Sequence, residues 1–176
     1  MGDFIIEHNN LPRIRRNLPA VLEARMEEAA KSLRGAVQKS AEEVDKPSTD
    51  TGAMREGMVI QTASGDDAEQ AKALAKDAFV GNRSRFDPMG RLHTAQRFEA
   101  LCGDVEALPS PGNRFEIITA LTVLMIYGRW WEQGDAWDFA TKSKRPASPW
   151  FTPSVMGWQV SEWSHFFEGV IEEARR

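Results

Sequence analysis

Residues 18–44 read LPAVLEARMEEAAKSLRGAVQKSAEEV, and their apolar side chains recur every three or four positions. The positions concerned are Leu22, Met26, Ala29, Leu33, Val37, Ala41 and Val44. This spacing predicts a long amphipathic helix with one apolar stripe. Asn17 is a candidate N-cap, Pro19 suits a first turn, and Glu27 with Lys31 forms a favourable i, i+4 pair. A helix of this length needs a partner surface, because its stability comes mostly from packing that stripe.

The next part of the chain predicts two strands with a long insertion between them. Pro47–Gly52 is rich in turn-forming residues and ends the helix. Met58–Thr62 and Phe115–Val123 have the composition and alternation of strands. The insertion, 64–114, is too long for an ordinary hairpin loop, so we expect structure within it. Helical spacing predicts one helix over 67–80, ended by Gly81, and a second over 94–102, ended by Gly103.

The C-terminal part of the chain predicts a second long helix. Thr152 is a candidate N-cap and Pro153 suits the first helical position, so we expect a helix from Pro153 to about Ala174. Its expected stripe is Met156, Val160, Trp163, Phe167, Val170, Ile171 and Ala174. The predicted class is therefore α+β, with two long helices packed on a small antiparallel sheet and a partly helical insertion. We predict one domain over 1–176, with 1–17 as an N-terminal arm.

Composition limits the possible functions. The chain has 176 residues, 41% of them hydrophobic, and a formal net charge of −4, which disfavours a protein whose main task is to grip phosphate backbones. Its single cysteine, Cys102, excludes an internal disulfide framework and is read as a small buried hydrophobe. The N-terminus lacks the features of a secretory signal, and the longest apolar run is too short to cross a bilayer. We therefore expect a soluble protein made in the cytoplasm, without a membrane partner.

Two motifs in the second half indicate assembly rather than catalysis. In Tyr127–Gly134 the aromatic residues fall at i, i+3 and i+4, which would place Tyr127, Trp130 and Trp131 on one face of a helical turn. Gly134 suits the left-handed conformation that ends such a turn. In 146–153, three prolines favour extended backbone and would present Trp150 and Phe151 as a stiff aromatic peg. The aromatic turn has two interpretations, packing within the subunit or contact with a neighbour.

Several charged residues also allow two interpretations. Glu132 is either a solvated carboxylate or a partner of Arg55, and Asp50 is a turn former rather than a metal ligand. The basic loop Lys142–Arg145 and the cluster Arg13–Arg16 are either solvated or in contact with DNA or an acidic neighbour. The three histidines, His8, His93 and His165, are scattered and do not predict a catalytic or zinc site. We predict no cofactor and no metal.

Taken in order, the motifs resemble those of a known family. The chain has, in this order, a long amphipathic helix, the segment Pro47–Arg55, a hairpin, the aromatic turn Tyr127–Gly134 and the proline segment Pro146–Ser154. This series is similar to that of tail-completion or neck proteins of long-tailed bacteriophages. These proteins are also described as minor tail components. The resemblance covers roughly residues 18–63 and 115–174 and leaves out the insertion.

This chain departs from the family pattern at four positions. Gly128 stands where alanine is usual, and Asp135 stands where threonine is common. Met54 and Trp150 replace leucine and phenylalanine. These swaps are tolerable by size or hydrophobicity, whereas the double tryptophan, Trp130–Trp131, and the insertion are what the resemblance would imply for a divergent member of the family.

The resemblance implies a structural virion protein without enzymatic activity. It would form a ring, with a hexamer favoured, at the head-to-tail junction, where it would join the connector or head-closure protein to the tail terminator or tail-tube protein. DNA would pass through the lumen without specific binding, and the acidic balance of the chain suits such a lumen. We expect the assembly contacts to come from the three motifs, at Asp50, Thr51, Gly52, Arg55, Tyr127, Trp130, Trp131, Glu132, Gly134, Pro146, Pro149, Trp150, Phe151 and Pro153.

Two other functions remain open at this point. A nucleic-acid-binding module would use the arginines of 13–16 and 83–91, with tryptophans as stacking platforms. A small hydrolase would require His93 or His165 to meet a carboxylate in a pocket.

Overall fold

A computed structural model describes residues 10–45, 52–62, 65–81, 94–113, 116–135, 137–138, 142–144 and 146–176. Helix α1, Leu11–Asp45, confirms the first predicted helix but begins seven residues earlier than expected. The predicted cap at Asn17 is wrong, because Asn17 lies inside α1 and its side-chain amide donates to the carbonyl of Ala174 at 3.1 Å. The predicted ion pair between Glu27 and Lys31 is present, at 2.7 Å.

The stripe of α1 faces the core of the protein. Ala29, Val37 and Ala41 are buried, while Leu22, Met26 and Leu33 are half-buried. Val44 belongs to α1, but its side chain lies outside the described part of the structure.

A three-stranded antiparallel sheet packs near the C-terminal half of α1. The short helix α2, Ala53–Glu56, leads into β1, Met58–Thr62, which pairs with β2, Gly65–Asp66, on one side and β3, Ala120–Val123, on the other. The register places Gln61 opposite both Asp66 and Ala120. The second predicted strand is shorter than expected, because its pairing with β1 runs only from Met58 opposite Val123 to Gln61 opposite Ala120. Phe115, its predicted first residue, lies outside the described residues.

The insertion between β1 and β3 contains both helices predicted for it. They are α3, Ala68–Gly81, and α4, Ala95–Leu101. The hydroxyl of Thr94 caps α4 by accepting from the N–H of Arg97 at 3.2 Å. Phe79 and Phe98 pack with ring centroids 5.9 Å apart, so the insertion contributes to the core.

The C-terminal part differs from the single long helix that was predicted. After α5, Tyr127–Gln133, and the pair β4, Trp137–Asp138, and β5, Ser143–Lys144, the chain forms α6, Phe151–Ser161, a 3-10 helix, Trp163–Phe167, and α7, Val170–Arg175. Gly169 has a φ of 72° and separates the last two helices. Thr152 is not the N-cap, because α6 begins at Phe151 and Trp150 precedes it.

The predicted stripe of that last helix is wrong at four positions. Val170 and Ala174 are buried against the body of the protein and Phe167 is half-buried. Met156, Val160, Trp163 and Ile171 are exposed. Trp158 faces α1 instead, and its indole N–H donates to the hydroxyl of Ser32 at 3.0 Å.

The predicted α+β class is confirmed, with helices covering a small antiparallel sheet. The main core lies between α1, the sheet and the insertion, and it includes Val37, Met54, Phe79, Phe98 and Trp150. Among the described residues, none of the helices has both the length and the apolar composition required to cross a membrane.

Candidate assembly interface

Three motifs that are far apart in the sequence meet at one place, which we call the motif junction: Met54, Gly128 and Trp150. Met54 lies in α2, Gly128 in α5, and Trp150 immediately before α6. A Cβ atom added at Gly128 would lie 3.1 Å from Cζ2 of Trp150 and 3.2 Å from Sδ of Met54. The backbone of α5 therefore approaches both side chains closely, and a Cβ atom at position 128 would require them to shift by a few tenths of an ångström.

Trp150 is buried inside the subunit. Its side chain is 3% exposed, and its indole N–H donates to the carbonyl of Gly128 at 3.0 Å. The neighbouring Phe151 is half-buried and packs edge-on against it, with centroids 5.7 Å apart. The expectation that Trp150 is presented outwards as a peg is corrected by this burial.

Glu132 fixes the start of α6 to α5. Its carboxylate accepts the backbone N–H groups of Trp150, Phe151 and Thr152 at 2.7, 3.0 and 3.0 Å. Such N–H groups at the beginning of a helix have no partner within the helix, so a carboxylate placed there satisfies them and interacts favourably with the helix dipole.

Neither earlier interpretation of Glu132 describes this role. Arg55 is bound elsewhere, with Nη2 at 2.7 Å from Oε1 of Glu56 and Nη1 at 3.6 Å from Oε1 of Glu42. The predicted pair between Glu132 and Arg55 is therefore wrong. Only the tertiary fold brings Glu132 to backbone groups eighteen to twenty residues later in the chain.

The hydrogen bonds also change the acidity of Glu132. Partial burial raises the pKa of this carboxyl, but the hydrogen bonds from the Thr152 side chain and from the three backbone N–H groups together outweigh burial. The pKa of Glu132 therefore lies below its usual value, and the group stays charged at neutral pH.

The aromatic turn divides between the interior and the surface. Tyr127 is buried, and Trp131 is partly buried against the core. Trp130 is 39% exposed. The three rings therefore do not share one face, and Trp130 remains available to a neighbouring molecule.

Gly134 ends α5 as predicted. It adopts the left-handed conformation, with a φ of 77°, and an added Cβ would lie 2.6 Å from the backbone nitrogen of Ala147. The N–H of Ser148 donates to the carbonyl of Trp131 at 2.9 Å, so the proline segment runs directly along α5. Pro146 and Pro149 are exposed, as is Pro153 in the first turn of α6.

The first motif is described only in part. Asp50 and Thr51 lie outside the described residues, so their predicted roles in a turn and at an interface stay predictions. Gly52 precedes α2 with a φ of 72°. The carbonyl of Arg55 accepts from the side-chain amide of Gln38 at 3.0 Å, which ties α2 to α1.

Several exposed apolar side chains were not expected at the surface. Ile126, 39% exposed, lies four residues before Trp130. In α6, Met156 and Val160 are 62% and 89% exposed. The signal in the sequence is the absence of any charged residue from the eleven residues of α6, so no polar face could be assigned to that helix.

The remaining candidates lie away from the motif junction. His165 Nδ1 is 3.3 Å from Oε1 of Glu168, and both side chains are exposed, whereas His8 and His93 lie outside the described residues. In the basic loop, Lys144 pairs with Asp135 at 2.8 Å. Cys102 packs against the core, and burial raises the pKa of its thiol. Within the described residues, no cluster of three or more His, Cys, Asp or Glu side chains could hold a metal ion.

Comparison of the chain with protein-family models, with curated proteins and with solved structures finds no match.

Proposed function

We propose that this protein is a structural subunit of a tailed bacteriophage virion, a tail-completion or neck protein whose ring joins the head connector to the tail tube. The main support is the motif junction. The three motifs that carry the resemblance are separated by up to 96 positions in the chain, yet Met54, Gly128 and Trp150 lie in mutual packing range. Motifs that pack together form one structural unit, as expected if they belong to a common fold.

Two departures from the family pattern contact each other, which gives further support. Gly128 replaces the usual alanine and Trp150 replaces the usual phenylalanine, and these two residues touch through the absent Cβ and the indole ring. The smaller residue makes room for the larger one. Paired changes of this kind keep the total volume of a core nearly constant, so they are tolerated together.

The surface has apolar groups suited to assembly. Trp130 is exposed on α5 and Ile126 immediately before it, and Met156 and Val160 are exposed on α6. Large, rigid aromatic side chains are typical anchors of protein interfaces. Trp150 and Trp158 are buried, at 3% and 7% exposure, so neither is a stacking platform for nucleic acid.

The deciding experiment is electron microscopy of phage particles produced without this protein. We expect filled heads and finished tails that are separate from each other, and supply of the intact chain from a plasmid should restore joined particles. Joined, infectious particles that form without the protein would contradict the proposal.

A further inference from the structure

In the part of the chain that the structure describes, charges of opposite sign that form no ion pair lie at two separate places. One is the arginine end: Arg13, Arg15, Arg16, Arg175 and Arg176. The other is the carboxylate surface: Asp66, Glu69, Asp104, Glu106 and Glu116. All ten side chains are exposed.

The contact between α1 and α7 brings the five arginines to one end of the fold. Three lie in the first two turns of α1, and two directly follow Ala174, whose carbonyl accepts from Asn17 of α1 at 3.1 Å. Within the described residues, none of these five guanidinium groups has a carboxylate within ion-pairing distance, although Glu168, Glu172 and Glu173 line the same pocket as Arg176. Arginines in the first turns of a helix also oppose its dipole, so this placement does not serve the stability of α1.

The carboxylate surface is organised around Gln61. This residue lies opposite Asp66 in the sheet, and its side-chain amide donates to the carbonyl of Glu106 at 2.8 Å. Glu69 lies in the first turn of α3, three residues after Asp66. Glu116 precedes β3, whose first residue, Ala120, also lies opposite Gln61.

The cations nearest to these carboxylates in the chain and fold pair with other groups: Lys72, three residues after Glu69, lies 3.7 Å from Glu99, and Arg34 pairs with Asp67. No lysine or arginine occurs in residues 56–71, 98–113 or 116–128. Arg114, between the last two stretches, lies outside the described residues. In the described part of the chain, no cation forms an ion pair with any of the five carboxylates. Other charges are matched within the subunit, for example Lys76 with Glu99 at 2.9 Å and Arg25 with Glu173 at 2.7 Å.

The two regions are too far apart to neutralise each other. Arg34 of α1 pairs with Asp67, which marks where the carboxylate surface meets α1. Eighteen residues of helix separate Arg34 from Arg16, a distance of about 27 Å at 1.5 Å per residue. Charges on separate regions of one subunit can meet only between copies, and contact between two different patches is the geometry that generates rings.

We propose that the arginine end of one copy docks on the carboxylate surface of the next copy, and that this contact links neighbouring subunits. The inference rests on the proposed ring and identifies its subunit contact. Complementary surfaces of opposite charge steer association and fix the relative orientation of the partners. Arginine suits this role because its planar guanidinium group binds carboxylates through two parallel hydrogen bonds.

A charge-exchange experiment tests this contact in the full-length protein. One variant carries Arg15→Glu and Arg16→Glu, and a second carries Glu69→Lys and Glu106→Lys. Self-association is measured by static light scattering and sedimentation at about 0.01 M and about 1 M salt, where the screening lengths are about 30 Å and 3 Å. We expect the wild-type protein to self-associate at low salt. Its association constant should fall about tenfold or more at high salt, and by a similar factor in either variant alone at low salt.

An equimolar mixture of the two variants should recover the association. The acidic end of the first variant can then dock on the basic surface of the second. The matched control, Asp77→Lys with Glu162→Lys, changes the net charge as much as the second variant does, at exposed carboxylates outside the surface. It should associate like wild type. Loss of association in the control, or failure of the mixture to recover, would overturn the contact.

Two further outcomes separate this inference from the proposed function. If the wild-type protein shows no salt-sensitive self-association, the proposed contact is overturned and the proposed function is unaffected. The same holds if Arg15 and Arg16 are needed for binding to duplex DNA but not for self-association. If self-association behaves as expected but the protein is absent from virions, the proposed function is refuted and the proposed contact stands.

Discussion

At position 128 two effects on stability oppose each other. Alanine would favour helix α5 by up to about 1 kcal/mol. Its Cβ would, however, press on Trp150 and Met54, which are both buried and cannot move into solvent. Overpacking of a core costs about 1–3 kcal/mol. We expect Gly128→Ala to lower the free energy of unfolding by about 1 kcal/mol, measured by urea denaturation.

The matched control for this substitution is Gly35→Ala in α1. No atom lies within 4 Å of a Cβ built at Gly35, so this variant should gain up to about 1 kcal/mol. In a Trp150→Phe background, Gly128→Ala should cost less than in wild type, with a coupling of about 0.5 kcal/mol or more. Strictly additive costs would show that the two positions do not compete for space.

Glu132 makes stability depend on pH. The pKa of its carboxyl is below the usual value in the folded protein, so the charged form favours folding. The contribution is fully present above the unfolded pKa, about 4.5, and is lost as the pH falls through the folded pKa. We expect Glu132→Gln to lower the free energy of unfolding by about 1–2 kcal/mol at pH 7, and the difference from wild type to shrink below about pH 4.5.

Asp135→Asn is the matched control for Glu132→Gln. Asp135 is an exposed carboxylate two residues after α5, and its 2.8 Å pair with Lys144 is solvated, with side chains 51% and 66% exposed. Such exposed pairs contribute little to stability, so Asp135→Asn should stay close to wild type. If the two variants lost equal stability at pH 7, Glu132 would not act as a cap for α6.

At the scale of elements, local signals in the sequence were sufficient where one helix or strand packs with a regular face. The stripe of α1, the helical spacing over 94–102 and the β-favouring run of β1 each predicted an element that the structure contains. The C-terminal helix was predicted as continuous because its apolar residues fit a helical period as far as Ala174. In the structure α6 ends at Ser161, and a 3-10 helix and the left-handed Gly169 precede α7, so the helical period is not continuous. On α6 it is Trp158, not Met156 or Val160, that packs towards α1.

The consequence for α6 can be tested with two residues on opposite faces. Trp158 is 7% exposed, bonds to Ser32, and packs against Trp163 and Phe166 with centroids 5.8 and 5.9 Å away. We expect Trp158→Ala to destabilise the protein by about 3–5 kcal/mol, and the milder Trp158→Phe by about 1–2 kcal/mol. Thermal unfolding followed by circular dichroism measures both.

Val160→Ala provides the comparison on the outer face of α6. Its side chain is 89% exposed, so its truncation should change the free energy of unfolding by no more than about 0.5 kcal/mol. The continuous helix predicted from the sequence would give the opposite order, with Val160 in the packed stripe. A larger loss for Val160→Ala than for Trp158→Phe would therefore contradict the observed break.

At the scale of the whole molecule, the sequence located the motifs but did not predict how they divide between core and surface. Aromatic residues at helical spacing fit either place, and the proline segment does not specify which way Trp150 points. That choice depends on Gly128, whose missing side chain leaves space for the indole in the core. Trp130, one turn along α5 from Tyr127, stays partly exposed because the core side of that helix is already occupied by Tyr127 and Trp131.

Trp130 therefore separates a role in assembly from a role in folding. We expect Trp130→Ser to change the free energy of unfolding by no more than about 1 kcal/mol, since much of the side chain already contacts water. If the indole anchors a neighbour, its loss costs about 2 kcal/mol of binding, or about thirtyfold in affinity. Phage lacking the gene, supplied with Trp130→Ser from a plasmid, should yield correspondingly fewer joined particles by electron microscopy.

Leu74→Ser is the control, because Leu74 is 46% exposed on α3, outside the three motifs. It removes a similarly exposed apolar side chain, so it should support particle joining at the wild-type level if the motifs supply the interface. Equal yields from the two variants would show that Trp130 does not contact a neighbouring molecule in the joined particle. If only Trp130→Ser gave fewer joined particles and its thermal unfolding were unchanged, the fold of the subunit would be intact. The exposed indole would then act in a contact between molecules.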